Sequence, residues 1–423
     1  MSAHKHQVWK RAVPVWDSSL NNSIFWFFLA LALVSSILAG IRLFGGLAFT
    51  GMSDDFAWGV WKTFNVMTLT ALGSAGLAVG VAAWVFNQHQ FHVIMRTSLV
   101  ISLLFYGTGL ISLGIDVGRP WNFYNSLLPW RWNYHSSLFE VAICMSAYFS
   151  IFLLYENLPA FVERRYVVAP TETRRKISQF THKYRAVYPF MIAAAYLLPI
   201  MHQSSLGSLM VIAGPKVHPL WQTQMLPAYY LLQAFICGFA AVVIILMISS
   251  MGWRRPLDMP VLSDLGKFMA WAAIAFVAIR WTQVLVTGKA GMAFQPDSMA
   301  LLFHTEMLLN LIPALILLKP RVRRTPRSLF VGSVVIAIGG MLYRFSPTTL
   351  AYRPGSSSLY FPSDRELLLA LGAVGWTVVL FMIIVKYFAV LPAPLSEWYR
   401  AINHAKEKLP ELRIDEHGAA TDY

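Results

Sequence analysis

The apolar residues of this chain are gathered into long segments, and most charged residues stand between them. A helix needs roughly 20 apolar residues to cross a hydrocarbon core of about 30 Å. Ten segments have this length, at about 24–48, 58–86, 94–116, 134–158, 186–212, 226–250, 264–287, 298–318, 328–347 and 366–391. The pattern therefore predicts an all-α, polytopic membrane bundle of about ten transmembrane helices.

The remaining segments are too short for a soluble domain. We predict a tail at 1–23, a transmembrane bundle at 24–391 and a second tail at 392–423. The longest connection, of about 27 residues, joins the fourth and fifth segments. The N-terminal segment lacks a short apolar core followed by a small-residue cleavage site, so we interpret it as mature sequence. The composition, 57% hydrophobic and 13% charged, agrees with a membrane protein.

The net charge of +14 has a membrane explanation. Lys and Arg concentrate in both tails and in alternate loops, including 164–176 and 319–324. This alternation follows the positive-inside rule and argues against a nucleic-acid partner. It places both tails in the cytoplasm and predicts a multi-pass protein of the bacterial inner membrane.

Cys144 and Cys237 lie in separate apolar segments without a CxxC or CxxCH motif. The chain therefore cannot ligate an iron-sulfur cluster or attach haem covalently. We predict no metal site in this chain and interpret both thiols as core residues.

Polar side chains within the segments cluster toward one end, the predicted periplasmic end. Charged groups at membrane depth are costly, which makes each one a candidate functional residue. We expect Glu140 and His135 to transfer protons. Asp116 and Arg119 form either a structural ion pair or part of a site. The other members of the cluster are Lys62, Asn65, His202, Gln203, Ser204, Ser205, Arg280, Gln283, His304 and Glu306.

The opposite halves of the segments hold few ionisable residues, with Glu156 near one end. A ladder of carboxylates through the membrane, typical of a proton pump, is not visible. The predicted periplasmic loops are rich in Trp, Tyr, Pro and Arg and include Lys216 and His218. They represent either an interfacial aromatic belt or a surface that docks a partner, as we expect for Asp116 and Arg119 as well.

Four blocks of the chain resemble the NrfD/PsrC family of membrane subunits. They are FAWGVWKTFN (56–65), GLISLGIDVGRPWN (109–122), SSLFEVAICM (136–145) and MHQSSLGSLMVIAGPKVHPLWQ (201–222). The likeness runs from about 30 to 392 and is closest to the ten-helix, HybB-type branch of uptake nickel-iron hydrogenases.

This resemblance implies a subunit without its own haem or iron-sulfur cluster that binds a quinone, menaquinone or ubiquinone, as substrate. Electrons would pass between the quinone pool and a periplasmic ferredoxin-like iron-sulfur subunit, with a catalytic enzyme such as a nickel-iron hydrogenase. His202, Gln203, Ser204 and Ser205 would then bind the quinone head group. The chain departs from the hydrogenase branch at Asn65 and Gln283, where acidic residues are common, so any proton path must differ.

Three alternatives stay open. The partner enzyme belongs either to hydrogen metabolism or to a dissimilatory sulfur-metabolism complex. A secondary transporter would place its substrate site at the bilayer centre between repeats, whereas the polar cluster lies to one side. A haem b protein needs two facing histidines, for which His135, His202 and His304 are the candidates.

Overall fold

The computed structural model describes residues 19–53, 55–117, 119–133, 136–158, 171–255, 257–355 and 360–392. Ten helices in these ranges are long and apolar enough to span a membrane. They are α1 Ser23–Gly45, α2 Val60–Val85, α3 His89–Asp116, α4 Glu140–Leu158, α5 Pro189–Lys216, α6 Leu226–Trp253, α7 Met259–Val286, α8 Ser298–Leu318, α9 Pro326–Leu350 and α10 Asp364–Tyr387. The predicted all-helical membrane bundle is confirmed.

The connection between α4 and α5 differs from the prediction. The helix that contains α5 already begins at Thr171 and continues without a break to Ala213. Its first turns are polar and carry a Glu172–Lys176 ion pair of 3.8 Å, a spacing that supports helix formation outside a bilayer. Hydropathy detects only the apolar part of such a helix, so the sequence predicted a loop where the structure has helix.

Helix α6 lies at the centre of the bundle, where it packs against α2, α5, α7 and α9. Helix α2 is the most enclosed, with 89% of its central window buried, whereas α1 has only 17% and packs mainly along α10. The crossing of α6 and α2 is close: a Cβ on Gly238 would stand 2.7 Å from the Ser74 carbonyl oxygen. Glycine at this position lets the two central helices touch through their backbones.

Side-chain caps fix several helix starts. Asn22 Oδ1 accepts from Phe25 N at 2.9 Å to begin α1, and Asp297 Oδ1 accepts from Ala300 N at 2.7 Å to begin α8. Such caps satisfy backbone N–H groups that have no partner within the helix. The short polar residues between apolar segments therefore determine where these helices start.

In the described ranges, four π-helical stretches interrupt the spanning helices, at Thr63–Thr68 and Val81–Val85 in α2, Tyr148–Leu153 in α4 and Ser346–Leu350 in α9. A π stretch inserts an extra residue in a turn and rotates the side chains that follow, and it is frequent at functional sites. In α9 it extends the helix beyond the predicted end at residue 347 to Leu350, so Arg344 lies six residues from the helix end rather than three.

Candidate functional site

Gln203 on α5 lies in the centre of the bundle and bonds side chains from three other helices. Its amide nitrogen donates to Thr70 Oγ1 on α2 at 3.3 Å and to Tyr106 Oη on α3 at 3.2 Å. Its carbonyl oxygen accepts from Arg344 Nη2 on α9 at 2.9 Å. All four residues are buried. The glutamine of the 201–222 block thus ties four helices together.

His202 lies beside this hub with one ring nitrogen engaged and one unpartnered. Nδ1 is 3.2 Å from the Val141 carbonyl oxygen on α4, and the ring packs against Tyr106 at a centroid distance of 5.4 Å. A carbonyl oxygen only accepts, so Nδ1 carries the proton of the neutral ring. Nε2 is then a buried acceptor with no hydrogen-bond partner in the described part of the chain.

Arg344 is a fully buried cation, and it was missed in the sequence. Besides Gln203, it donates to the Tyr230 carbonyl oxygen at 2.6 Å and lies 4.1 Å from the centre of the Tyr230 ring. Nε and Nη1 have no hydrogen-bond partner among the described residues, and no carboxylate there pairs with it. A buried charge without a counter-ion costs several kcal/mol. The protein keeps Arg344 buried despite this cost, which indicates that the unpaired N–H donors serve a function.

Ser204 and Ser205 were predicted to bind the quinone together with His202 and Gln203. In the structure Ser205 Oγ donates to the Met201 carbonyl oxygen one turn earlier, at 2.8 Å. The Ser204 carbonyl oxygen accepts from Ser208 Oγ at 3.2 Å. These bonds stay within α5, so the structure does not bring either serine hydroxyl into the Gln203 hub.

A second group of buried polar side chains surrounds Glu306 on α8. Trp221 Nε1 donates to both carboxylate oxygens, at 3.0 and 3.2 Å, and Ser346 Oγ on α9 donates to Oε1. One turn along α8, Asn310 Oδ1 accepts from Gln233 Nε2 on α6 at 3.3 Å. The Glu306 group and the Gln203 hub are therefore joined laterally through α9, which carries both Ser346 and Arg344.

Arg280 on α7 occupies the space next to the Glu306 group. Its Nη1 donates to Gln283 Oε1 at 2.5 Å, and its Nη2 donates to the Leu220 carbonyl oxygen at 2.7 Å. The guanidinium lies 5.4 Å from the ring centres of both Tyr229 and Phe303. The structure thus brings Arg280 and Gln283 together as the sequence suggested, within an aromatic cage.

His304 has a different setting from the other buried polar residues. Its Nε2 is 2.9 Å from the Ala293 carbonyl oxygen, and its ring packs against Trp281 and Phe294 at 5.7 and 5.6 Å. These contacts hold the short connection between α7 and α8 against the helices. The structure supports a positional function for His304.

The periplasmic ends predicted for α1–α3 meet at an ion pair that the sequence did not predict. Lys62 Nζ on α2 lies 2.6 Å from Asp116 Oδ2 on α3, and Arg42 Nη2 on α1 donates to the Asp116 carbonyl oxygen at 3.0 Å. Arg119, considered as a partner of Asp116, is exposed. The suggested Asp116–Arg119 pair is wrong, because helix packing brings Lys62 to the carboxylate instead. Asn65 Oδ1, one turn below Lys62, is buried and unpartnered among the described residues.

Glu140 begins the membrane span of α4 and is half-buried. The residue that follows it, Val141, supplies the carbonyl oxygen that contacts His202 Nδ1. The structure therefore places Glu140, a predicted proton carrier, and His202, a predicted quinone ligand, on adjoining helices at similar depth. His135, the other candidate, lies outside the described residues.

Lys216 ends α5 and His218 lies in the connection to α6; both pair through their backbones with the connection after α9. Lys216 is exposed, and its carbonyl oxygen accepts from Arg353 N at 2.6 Å. His218 N donates to the Ala351 carbonyl oxygen at 2.9 Å. Burial, reinforced by the positive charge of Arg353, lowers the pKa of His218 below its ordinary value of 6.5. These two connections form one surface above the helices.

Comparison with known proteins identifies the family. The family model described as "Polysulphide reductase, NrfD" matches residues 48–347. The chain belongs to the NrfD family. It is 34% identical to the "Probable Ni/Fe-hydrogenase 2 b-type cytochrome subunit" of Escherichia coli (strain K12), over 87% of this chain and 92% of the relative.

Two other relatives of this NrfD-family chain carry different names. The "Menaquinone reductase, integral membrane subunit" of Nitratidesulfovibrio vulgaris is 24% identical over 82% of this chain and 86% of the relative. A subunit of the selenate reductase of Mesobacillus selenatarsenatis is 28% identical over 24% of this chain and 25% of the relative. All three relatives are thus named as parts of redox enzymes, and the names differ in the substrate.

The E. coli name includes a b-type cytochrome, which would require haem ligands. Haem with two histidine ligands needs facing imidazoles with available Nε2 atoms. His202 Nε2 is available, but His304 Nε2 is engaged with the Ala293 carbonyl oxygen at 2.9 Å and does not provide the second ligand. His202 and His304 of this NrfD-family chain therefore do not fit such a haem.

Arg344 and Arg42 are the principal residues that sequence reasoning missed. Arg344 stands three residues from the predicted end of its segment, where a charge is ordinary. Arg42 also lies toward the end of its segment and is 1% exposed. The sequence did contain one signal for Arg344: no acidic residue lies near it in the chain to pair with its charge. The burial of Arg344 became clear only from the packing of α9 against α5 and α6.

Proposed function

We propose that this NrfD-family protein is the quinone-reactive membrane subunit of a respiratory oxidoreductase complex. It passes electrons between an iron-sulfur subunit and the quinone pool, while the primary catalytic site lies in partner subunits. Family membership and the names of two relatives that cover most of this chain support the proposal. The single observation that carries the site is the pair of unpartnered polar groups on either side of Gln203, in His202 and Arg344.

These groups suit the two states of a quinone head group. A quinone carbonyl needs a hydrogen-bond donor, which Arg344 Nη1 and Nε supply. A quinol hydroxyl needs an acceptor, which His202 Nε2 supplies. Oxidation of a quinol releases two electrons and two protons. His202 accepts the first proton, passes it to the Glu140 route and then accepts the second. The two electrons leave to the iron-sulfur partner, and the reverse sequence reduces a quinone with two protons.

Glu140 is the proposed proton exit from this site. Val141, the next residue in the chain, contacts His202 through its carbonyl oxygen. In this proposal the carboxyl group of Glu140 on the adjoining helix receives the proton from the imidazole. Because His135 precedes the same helix, it extends the proposed route toward the surface. Asn65 and Gln283 are amides and cannot carry protons as carboxylates do, so the route follows α4 rather than α2 or α7.

The orientation is part of the proposal. The basic residues of the tails and alternate loops support cytoplasmic termini in a bacterial inner membrane. In this orientation the polar groups around Gln203, Glu306 and Lys62 lie in the periplasmic half of the membrane. The surface formed by Lys216, His218 and the Arg353 segment lies above them and is the proposed docking face for a ferredoxin-like iron-sulfur subunit.

A nickel-iron hydrogenase is the first choice for the catalytic partner, because the E. coli relative has that name and the greatest coverage of those described above. A sulfur-metabolism or other oxyanion-reducing complex is the second choice, supported by the family description and by the selenate reductase relative. In either case the partner enzyme determines the primary electron donor.

The test is purification of the tagged subunit in mild detergent, identification of co-purifying proteins and assay of quinone-analogue reduction with hydrogen. Hydrogen-dependent reduction, with an iron-sulfur protein and a nickel-iron enzyme present, is expected. Quinone reduction with another electron donor would rule out the hydrogenase as the partner and support the proposed quinone function. A protein that binds neither quinone nor a redox partner would refute the proposal.

Variants test the site within that complex. His202→Ala and Glu140→Gln are expected to lower quinone-linked turnover at least about tenfold, a loss of about 1.4 kcal/mol in transition-state stabilisation. Both variants should stay inserted and bound to the partners. Ser205→Ala is the matched control, because its hydroxyl bonds only its own helix. Loss of assembly in the first two variants would indicate structural functions instead.

A further inference from the structure

A pocket opens between α2, α3, α4 and α5 in the half of the bundle opposite the Gln203 hub. It holds about 60 Å³ and is lined mainly by apolar side chains and by the backbone of two glycines. The lining residues used below are Gly76, Gly80, Trp84, Tyr148, Glu156 and Tyr196. The proposed quinone chemistry uses none of them.

Two π-helical stretches form walls of this pocket. Val81–Val85 in α2 contributes Trp84, and Tyr148–Leu153 in α4 contributes Tyr148. π stretches are uncommon and persist most often where they serve a site. Both stretches line the same pocket, one from α2 and one from α4. The pocket therefore has a specific backbone construction.

Glu156 supplies the charged group of the pocket. The structure gives its carboxylate no hydrogen bond or ion pair with a described residue, although the neighbouring Asn157 side chain donates to the Leu153 carbonyl oxygen at 2.8 Å. A carboxylate beside apolar groups is costly unless a cation or a hydrogen-bond donor meets it. The carboxylate therefore favours a ligand that brings such a group.

The polarity of the pocket changes with depth. Glu156 stands two residues before the predicted end of its apolar segment at residue 158, which is about 3 Å of helix. Gly76 lies nine residues from the end of α2 at Val85, about 13 Å deeper than that surface. Trp84, which packs on His92 at 4.6 Å, marks the interface at the mouth. The polar end is shallow and the apolar end is deep.

We propose that this pocket binds one lipid of the adjacent leaflet, with a primary ammonium head group paired to Glu156 and the start of an acyl chain between α2 and α3. The depth order matches a lipid in its normal orientation. The carboxylate requires a cationic, hydrogen-donating head group of the phosphatidylethanolamine type. Such a lipid fills a gap between four helices and holds them together on the side away from the quinone site.

The test measures lipid retained by the purified full chain. The wild type, Glu156→Gln and Gly80→Ala are placed in vesicles of phosphatidylethanolamine and phosphatidylglycerol in equal amounts, extracted in mild detergent and analysed by native mass spectrometry. A Cβ at Gly80 would stand 2.7 Å from Tyr196 Oη, so Gly80→Ala narrows the pocket without removing the carboxylate. Gly40→Ala is the matched control, because a Cβ there meets nothing within 4 Å.

The wild type and Gly40→Ala are expected to retain about one phosphatidylethanolamine. Glu156→Gln and Gly80→Ala are expected to retain about tenfold less, the equivalent of about 1.4 kcal/mol. Equal retention of phosphatidylglycerol, retention of a quinone in its place, or no difference among the four proteins would overturn the proposal. If Glu156→Gln does not insert into the membrane, the lipid retained by Gly80→Ala tests the proposal by itself. Lipid retention is independent of quinone turnover, so the two proposals fail separately.

Discussion

Replacing Arg344 by Met tests whether the buried cation serves function at the expense of stability. Methionine fills a similar elongated space without charge. The change removes the hydrogen bonds to Gln203 Oε1 and the Tyr230 carbonyl oxygen and the stacking on the Tyr230 ring. It also removes a buried cation with two unpartnered donor atoms, Nε and Nη1.

The free energy that this substitution loses is similar in size to the free energy that it gains. The orphaned Gln203 oxygen costs about 1–3 kcal/mol, and loss of stacking costs about 0.5–2 kcal/mol. The Tyr230 carbonyl lies within α6, so it stays part of the helix backbone ladder. Against this, relief of an unpaired buried charge gains several kcal/mol. We therefore expect Arg344→Met to unfold at the wild-type temperature or above it, while quinone-linked turnover falls at least about tenfold.

Arg323 provides the matched control. It is also buried, at 6% exposure, but it donates to Ser263 Oγ and to the Leu317 and Leu318 carbonyl oxygens. Removing these bonds should destabilise the protein by about 2–4 kcal/mol, at about 1 kcal/mol for each. Arg323→Met should therefore unfold at a clearly lower temperature.

The assay is thermal unfolding in one detergent, followed by size-exclusion chromatography, with quinone-analogue reduction measured on the same complexes. A fall in unfolding temperature for Arg344→Met equal to that of Arg323→Met would refute the reasoning, since it would make Arg344 a structural tie. Normal turnover in a stable Arg344→Met complex would refute its contact with the quinone.

Three further predictions concern other parts of the chain. Lys62→Met leaves the buried Asp116 carboxylate without its cation at 2.6 Å, so we expect a loss of about 1–3 kcal/mol, checked by unfolding temperature and partly restored in Lys62→Arg. Because the fold lowers the pKa of His218, its neutral form contributes fully to the free energy of unfolding above pH 6.5, and this contribution falls as the pH drops below that value. His218→Gln should flatten this pH dependence, measured as the unfolding temperature at several pH values. Gln283→Glu places a carboxylate at the Arg280 contact of 2.5 Å, and we expect a higher unfolding temperature; a lower one would show that the guanidinium needs the neutral amide.

Sequence and structure agree closely on the helices and on the family. The predicted spans and the NrfD resemblance are confirmed because hydropathy and local blocks report on each segment by itself. The helical extension at Thr171 was missed for the same reason, since its polar turns lie outside the bilayer pattern. The site assignments stay predictions, although His202, Gln203, Arg280 and Glu306 do lie inside the bundle.

The sequence by itself determined which segments span the membrane, which half of the bundle holds the polar residues and to which family the chain belongs. These properties depend on residue type and on distance along the chain. Only the tertiary structure decided which polar groups meet. Arg344 reaches Gln203 across 141 residues, and Asp116 pairs with Lys62 rather than with Arg119. Partner choice depends on how the helices pack against one another, which is not visible in a hydropathy pattern.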